Sequence, residues 1–333
     1  MKVLFIGGTG VISQAVSRLA VEAGIDLYLV NRGQRNDFIP REAKLIQADI
    51  KNIDDFRSKL TGMEFDSVVN WIVFEPGQLQ NDVELFKDRT NQYVFISSAS
   101  AYQKPPTHYI ITESTPLANP YWQYSRDKIA CEEILNREYR ENSFPATIVR
   151  PSLTYGLTMI PLIMNSWQHP WTLIDRMRRG KKVIVPGDGT SLWTITHNTD
   201  FAKGFLGLLG NPASTGHAFH ITSDEVLTWD QMVNATGKAA GIRPEIIHIS
   251  SDFICSVAPE LQGSLIGDKA VSAIFDNSKI KRFVPGYTAT TRFDEGIRQS
   301  VDWFEAHPEK QVVDEEWDQM IDRIIESYEV RKS

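Results

Sequence analysis

A chain of 333 residues has room for one large domain or two ordinary ones, and for a substantial buried core. Its 42% hydrophobic and 23% charged residues are ordinary globular composition, which excludes collagen-like, low-complexity and extensively disordered classes. The formal net charge of -7 disfavours nucleic acid and anionic membranes as partners, although the 35 basic residues leave room for a local patch.

Met1-Lys2 is followed by an apolar run over residues 3–6, too short for a signal segment and leading straight into a glycine turn. It reads as the first strand of the mature fold. Strand and helix signals then alternate to residue 150. Strands are expected at 27–30, 44–47, 67–70, 93–97 and 147–150, with helices at 11–22, 56–60, 79–86 and 124–141. Consecutive apolar residues in those strands mark burial on both faces, as in a parallel sheet. Past Pro151 the rhythm changes: residues 156–171 are apolar, aromatic and without a period, which reads as a cap over a substrate rather than a linker. A strand over 183–185 ends at the turn Pro186-Gly187-Asp188-Gly189, and helices are expected at 200–209, 228–240, 293–305 and 315–328, with Thr228 as an N-cap. No apolar stretch is long enough to span a bilayer. Cys131 and Cys255 have neither metal nor redox spacing and read as reduced thiols of a cytoplasmic protein; no metal site is expected.

The fold class that follows is α/β: a doubly wound Rossmann domain with a smaller C-terminal α/β substrate domain. The expected division gives residues 1–157 plus about 190–222 to the dinucleotide-binding domain. About 158–189 and 223–333 make the substrate-binding domain.

Directly after the first strand comes Gly7-Gly8-Thr9-Gly10-Val11-Ile12-Ser13. Glycine lets the chain turn tightly and lets the backbone approach a pyrophosphate, and the next helix points free N–H groups at it. A glycine turn also has purely structural uses; its place between strand and helix at the head of a βαβ pattern favours dinucleotide binding. Gly7, Gly10, Val11 and Ile12 are the candidate phosphate contacts. The second strand ends in Asn31-Arg32-Gly33-Gln34-Arg35, with guanidinium groups where an NAD enzyme carries a carboxylate. Arg32 and Arg35 therefore favour NADP(H), with NAD(H) left open, against the plain alternative of a solvated basic turn. Asp49 and Ile50 lie where the adenine would, although Asp49 could equally cap a helix.

The fifth strand runs out through Ser97, Ser98, Ser100 and Tyr102. Tyr124 and Lys128 stand four apart on a predicted helix, so both project from one face. An ammonium there can stabilise a phenolate, lowering a pKa that starts near 10, and the tyrosine can then act as general acid or base. A serine hydroxyl at the strand's carboxyl end can orient the substrate oxygen.

With the later Arg150-Pro151-Ser152-Leu153-Thr154-Tyr155-Gly156, these motifs fall in one order. The chain thereby resembles the extended short-chain dehydrogenase/reductases, the NAD-dependent epimerases and dehydratases, strongly to residue 156 and more loosely beyond. The resemblance implies Ser98 as catalytic serine, Tyr124 as acid/base and Lys128 as ribose-binding lysine, with Asn70, Ser97 and Pro151 beside the cofactor. It implies hydride transfer on a sugar-like or nucleotide-sugar substrate, and a homodimer built on two helices of the first domain. Two positions depart from the pattern. Trp193 stands where an arginine usually grips the substrate diphosphate, and Asn70-Trp71 replaces a small-residue pair. Ser100, Tyr102, Trp193 and Arg292 are the substrate candidates, and Arg176, Arg178, Arg179 or Arg292 could supply the missing cation. The glycine turn and the Asn-Arg-Gly stretch also resemble chloroplast stem-loop-binding proteins. The open alternatives are a simple NADP(H)-dependent reductase of a small carbonyl compound, or a non-catalytic NAD(P)-sensing or RNA-binding protein of this fold.

Overall fold

The computed structural model describes residues 1–34 and 36–332. Its first half is β1 (Lys2–Ile6), α1 (Ser13–Glu22), β2 (Asp26–Asn31), β3 (Lys44–Gln47), α2 (Ile53–Lys59), β4 (Ser67–Asn70), α3 (Pro76–Phe86), β5 (Tyr93–Ile96), β6 (Ile110–Ile111), α4 (Gln123–Asn142) and β7 (Ala146–Val149). The second half runs β8 (Leu153–Tyr155), α5 (Thr172–Arg178), β9 (Val183–Pro186), β10 (Leu192–His197), α6 (Asn198–Leu208), β11 (Ala218–Phe219), β12 (Val226–Thr228) and α7 (Trp229–Ala239). It closes with β13 (Ile246–Ile249), α8 (Ser251–Val257), α9 (Gln262–Ser264), β14 (Ile274–Phe275), α10 (Ser278–Phe283), α11 (Phe293–Ala306) and α12 (Glu315–Lys332).

Seven of the strands form one sheet in the order β11-β7-β5-β4-β1-β2-β3, and every pairing in it is parallel. The Rossmann fold expected from the alternating rhythm is therefore present. β4, β5 and β7 are buried at every position, as strands covered by helices on both faces must be. The edge strand β3 is mostly exposed, and Lys44 on it reaches Asp26 at 2.7 Å; a charged edge resists pairing with another chain. In such a sheet the chain reverses direction of winding beside β1, and ligands sit at the carboxyl ends of the strands there.

The remaining strands make three small sheets: β12-β10-β8, β13-β9 and β14-β6. β10 leaves Ile195, Thr196 and His197 beside β8, so the second half is fastened to the strand following Pro151. Residues 156–171 contain no regular helix or strand, yet Met159, Ile160, Leu162 and Trp171 are core residues. Asn165 replaces the missing ladder, donating from Nδ2 to the carbonyls of Ile160 at 3.1 Å and Pro170 at 2.8 Å. β10 and α5 were not foreseen. β10 is buried from Trp193 to His197 and so shows no alternation, while α5 is too short for a readable period. Among the described residues no helix is long and apolar enough to cross a membrane.

Candidate active site

A cavity of about 1180 Å³ opens along the carboxyl ends of β1, β2, β4 and β5 and continues under the second half of the chain. That is more room than a single drug-sized ligand occupies and suits a dinucleotide with a substrate. One end is made by the glycine turn. Gly7 and Gly8 have φ of +94° and +102°, a region that side-chain-bearing residues avoid. A Cβ on Gly8 would lie 2.8 Å from Leu29 and 3.2 Å from the Ser17 hydroxyl, which itself donates to the Gly8 carbonyl. Helix α1 then starts without a side-chain cap at Ile12, which leaves N–H groups of its first turn available to an anion; Ser13 Oγ takes only the Gly10 N–H, at 2.9 Å. Gly7, Gly10, Val11 and Ile12 all line this end.

At the tip of β2, Asn31 accepts the Gly33 N–H at 2.7 Å, while its Nδ2 is buried with no partner among the described residues. An orphaned donor beside the exposed Arg32, on the cavity wall, fits a ribose or its phosphate. Arg35 lies outside the described residues. Asp49 and Ile50 line the next stretch, and one Asp49 oxygen is already taken by the Lys51 N–H at 3.0 Å.

At the inner end, Ser98, Ser100, Tyr124, Lys128 and Pro151 face the same space. Lys128 is almost fully buried, and its Nζ donates to the carbonyls of Val73 at 2.5 Å and Ile96 at 2.8 Å. Burial pulls its ammonium down to about 8. Tyr124 departs from the expected chemistry. Burial raises its phenol above the usual value; a hydrogen bond with Ser98 works the other way, and the Asp268 charge adds to the rise. Lys128 Nζ sits 5.6 Å from the Tyr124 ring centre, engaged with backbone rather than with the phenol. Ser98 Oγ in turn meets Ser100 Oγ at 2.9 Å, and Ser125 donates to Ser100 at 2.8 Å.

Ser97 lines the cavity, but its hydroxyl is committed to Glu132 at 2.5 Å. Glu132 receives Arg150 as well, at 2.6 Å, with both side chains buried. This network ties the end of β5 to α4 and to the end of β7. Glu132 was missed, although it continues the spacing of four set by Tyr124 and Lys128 along one helix face.

Three expected positions do not meet the cavity. Asn70 is buried and spent: its Nδ2 donates to Asp82 at 2.6 Å and its Oδ1 accepts from Ile72 N–H. Tyr102 is wholly buried, bonded to His220 at 3.1 Å and covered by the Arg150 guanidinium at 4.9 Å. Arg292 is exposed and pairs with Asp294. The other candidate cations are also engaged elsewhere: Arg176 and Arg179 with Asp318, and Arg178 with Glu305. Trp193 does reach the cavity wall, buried against Trp229 with its Nε1 donating to the Val271 carbonyl at 3.1 Å. Beside it stand Asp268 and Lys269, which no motif announced. Among the described residues no group of histidines, cysteines or carboxylates could hold a metal ion.

Residues 80–222, which carry Ser98, Tyr124 and Lys128, match the NAD dependent epimerase/dehydratase family. The chain is 28% identical over 261 residues to the chloroplast stem-loop binding protein of 41 kDa b of Arabidopsis thaliana, covering 74% of this chain and 65% of that one. It is 21% identical to the 2'-dehydrokanamycin reductase of Streptomyces kanamyceticus, over 86% of this chain and 80% of the other. In three dimensions it resembles the UDP-glucose 4-epimerase of Bifidobacterium longum, solved with NAD+ and UDP. The TM-score is 0.74, with 17% identity, over 93% of this chain and all of that one.

Proposed function

We propose that this epimerase/dehydratase-family chain is an NAD(P)-dependent enzyme acting on the hydroxyl or carbonyl of a sugar-like or nucleotide-sugar substrate. The observation that carries the reading is that one cavity has a glycine turn and an uncapped helix start at one end and Ser98, Tyr124 and Lys128 at the other. The nicotinamide, when bound, gives or takes the hydride at the substrate carbon. Gly7, Gly10 and the start of α1 would hold the pyrophosphate, and Asn31 Nδ2 with Arg32 the adenosine ribose end, which favours NADP(H). Lys128, anchored by two carbonyls, would hold the nicotinamide ribose. Ser98 orients the substrate oxygen and Tyr124 moves its proton. Burial raises the Tyr124 phenol, so hydrogen bonds from the substrate oxygen and the ribose hydroxyls would have to supply its activation.

Substrate contacts are assigned to about 158–189 and 223–333, with residues 1–157 and about 190–222 holding the nucleotide. A cytoplasmic location and a homodimer belong to the same reading. The test is Tyr124→Phe. It should lower turnover about a hundredfold or more, as expected for loss of a general acid/base, while cofactor affinity by titration stays within about twofold. Unchanged turnover would overturn the assignment. Titration with NADPH and NADH tests the preference, and tighter NADH binding would remove Arg32 from its role.

A second reading, a non-catalytic or RNA-binding protein, draws on the similarity to the Arabidopsis stem-loop binding protein. The net charge of -7 weighs against it. Salt-dependent binding of a stem-loop RNA, unaffected by Tyr124→Phe and accompanied by no turnover on a panel of sugar nucleotides and carbonyl compounds, would establish it instead.

A further inference from the structure

The segment Leu265–Lys269 is a single π-helical turn, closed by the bond from Ala270 N–H to the Leu265 carbonyl at 2.8 Å. Such turns cost hydrogen-bond geometry and concentrate at functional sites. This one is fastened to the catalytic loop. Asn119 donates from one amide nitrogen to the Ser100 carbonyl at 2.8 Å and the Gly267 carbonyl at 2.6 Å. A Cβ on Gly267 would lie 3.2 Å from both Tyr121 and Trp122, so the turn packs directly on the start of α4. Asp268 and Lys269 are thus held at fixed positions relative to Ser98 and Tyr124, and both line the cavity.

The charges on this turn do not balance. Lys269 Nζ meets Asp268 at 2.8 Å, and Lys104 Nζ meets the same carboxylate at 3.5 Å and the Asp268 carbonyl at 3.0 Å. All three side chains are nine-tenths buried or close to it. Among the described residues no second carboxylate pairs with either lysine. Two ammonium groups sharing one carboxylate leave a surplus positive charge in a poorly solvated place, which favours an incoming anion. Trp193 offers both lysines the face of its ring, at 5.7 Å for Lys104 and 5.9 Å for Lys269, and Trp167 lies 5.7 Å from Lys269 Nζ on the outer side. The tryptophan at the place of the customary arginine is therefore the floor of a different cation site.

We propose that Lys269 binds an anionic group, carboxylate or phosphate, that the substrate carries close to its reacting carbon, with Trp193 and Trp167 flanking the group and Asp268 setting the lysine's position. This deepens the proposed function and rests on Ser98 and Tyr124 marking the reacting end. A sugar acid or a sugar phosphate fits; a neutral carbonyl compound leaves the surplus charge unmet.

The test is binding, read by the fluorescence of the tryptophans that flank Lys269. Protein with saturating NADP+ is titrated at constant ionic strength with inorganic phosphate, glucose 6-phosphate, glucuronate and neutral glucose. Saturable changes with phosphate-bearing probes or with glucuronate, and none with glucose at the same concentrations, are expected; which of the two anions is tighter identifies the group. Lys269→Met should weaken the tighter one at least about tenfold, Lys269→Arg should hold it within about threefold, and Asp268→Asn should tighten it severalfold by removing the competing carboxylate. Glucose binding as tightly as either anion in the wild type overturns the proposal, as does a folded Lys269→Met with unchanged anion affinity. Since no turnover is read, an active Tyr124→Phe variant would sink the catalytic assignment and with it the placement beside the reacting carbon, leaving the anion site itself standing, and a failed titration would sink only this proposal.

Discussion

Lys128 brings an ammonium into a space bounded by Phe74, Phe95 and Tyr124, where two carbonyls receive it. Burial holds it at about 8, below its usual 10.5. As pH rises through about 8 the folded protein sheds a proton that the unfolded chain keeps until about 10.5. The unfolded state then binds more protons, so this group's contribution to stability rises with pH across that window. Below about 8 both states hold the proton and the contribution is flat. Urea unfolding of the wild type and Lys128→Met from pH 7 to 10.5 checks the sign: the difference between them should shift in the wild type's favour as pH rises. Over the same range cofactor affinity should fall in the wild type if the charged lysine grips ribose, and Lys128→Met should flatten that profile. At Tyr124 the sequence spacing predicted a lowered pKa, whereas the fold raises it. Spacing places two side chains on one face; it does not say where the ammonium's hydrogen bonds go.

At the scale of elements, the β1–turn–α1 unit has little tolerance. Gly8→Ala must place a methyl against Leu29 and Ser17 in a backbone conformation with φ of +102°. It should cost about 1–3 kcal/mol of stability and weaken cofactor binding, measured by denaturation and titration. Gly10, whose nearest neighbour to a new Cβ is Ser13 Oγ at 3.5 Å, has room for a methyl. Gly10→Ala should therefore lose cofactor affinity with little loss of stability, because the methyl projects where phosphate is proposed to lie. Helix α7 behaves as its sequence dictated: Thr228 accepts from Gln231 N–H and the Gln231 side chain returns to the Thr228 N–H. Thr228→Ala should cost about 1 kcal/mol in the same unfolding assay, without touching the cavity.

At the scale of the whole molecule, each half of the chain is braced by an ion-pair node around a buried carboxylate. Arg150 and Glu132 join the end of β7 to α4, where Glu132 also holds the Ser97 hydroxyl at the end of β5. Asp318 on α12 collects Arg176, Arg179 and Lys181 from α5 and the turn after it. Burial opposes the Asp318 charge, but the three cations outweigh it and hold the carboxyl down at about 2. A carboxylate depressed in the folded state stabilises at pH values above its unfolded pKa near 3.8, and that contribution is lost as pH falls toward about 2. Asp318→Asn should cost about 2 kcal/mol at neutral pH, the size of that shift, because three cations lose their common partner, and little below pH 2. Acid unfolding of both proteins compares them directly.

The half of the chain that builds the seven-stranded parallel sheet was legible in the sequence. Runs of apolar residues, a glycine turn and residues four apart on a helix are local patterns, and local patterns survive because the parallel sheet repeats one strand–helix unit. The spacing of Tyr124, Lys128 and Glu132 was equally legible, although only the first two were taken up. Tertiary structure alone decided which hydroxyls and charges remain free. Asn70 and Tyr102 looked available and are consumed by Asp82 and His220, because hydrogen-bond partners far along the chain leave no trace in spacing. Lys269 and Lys104 belong to no motif, yet packing brings two residues 165 apart onto one carboxylate beside Trp193. A surplus charge is a property of that meeting, and no stretch of the sequence contains it.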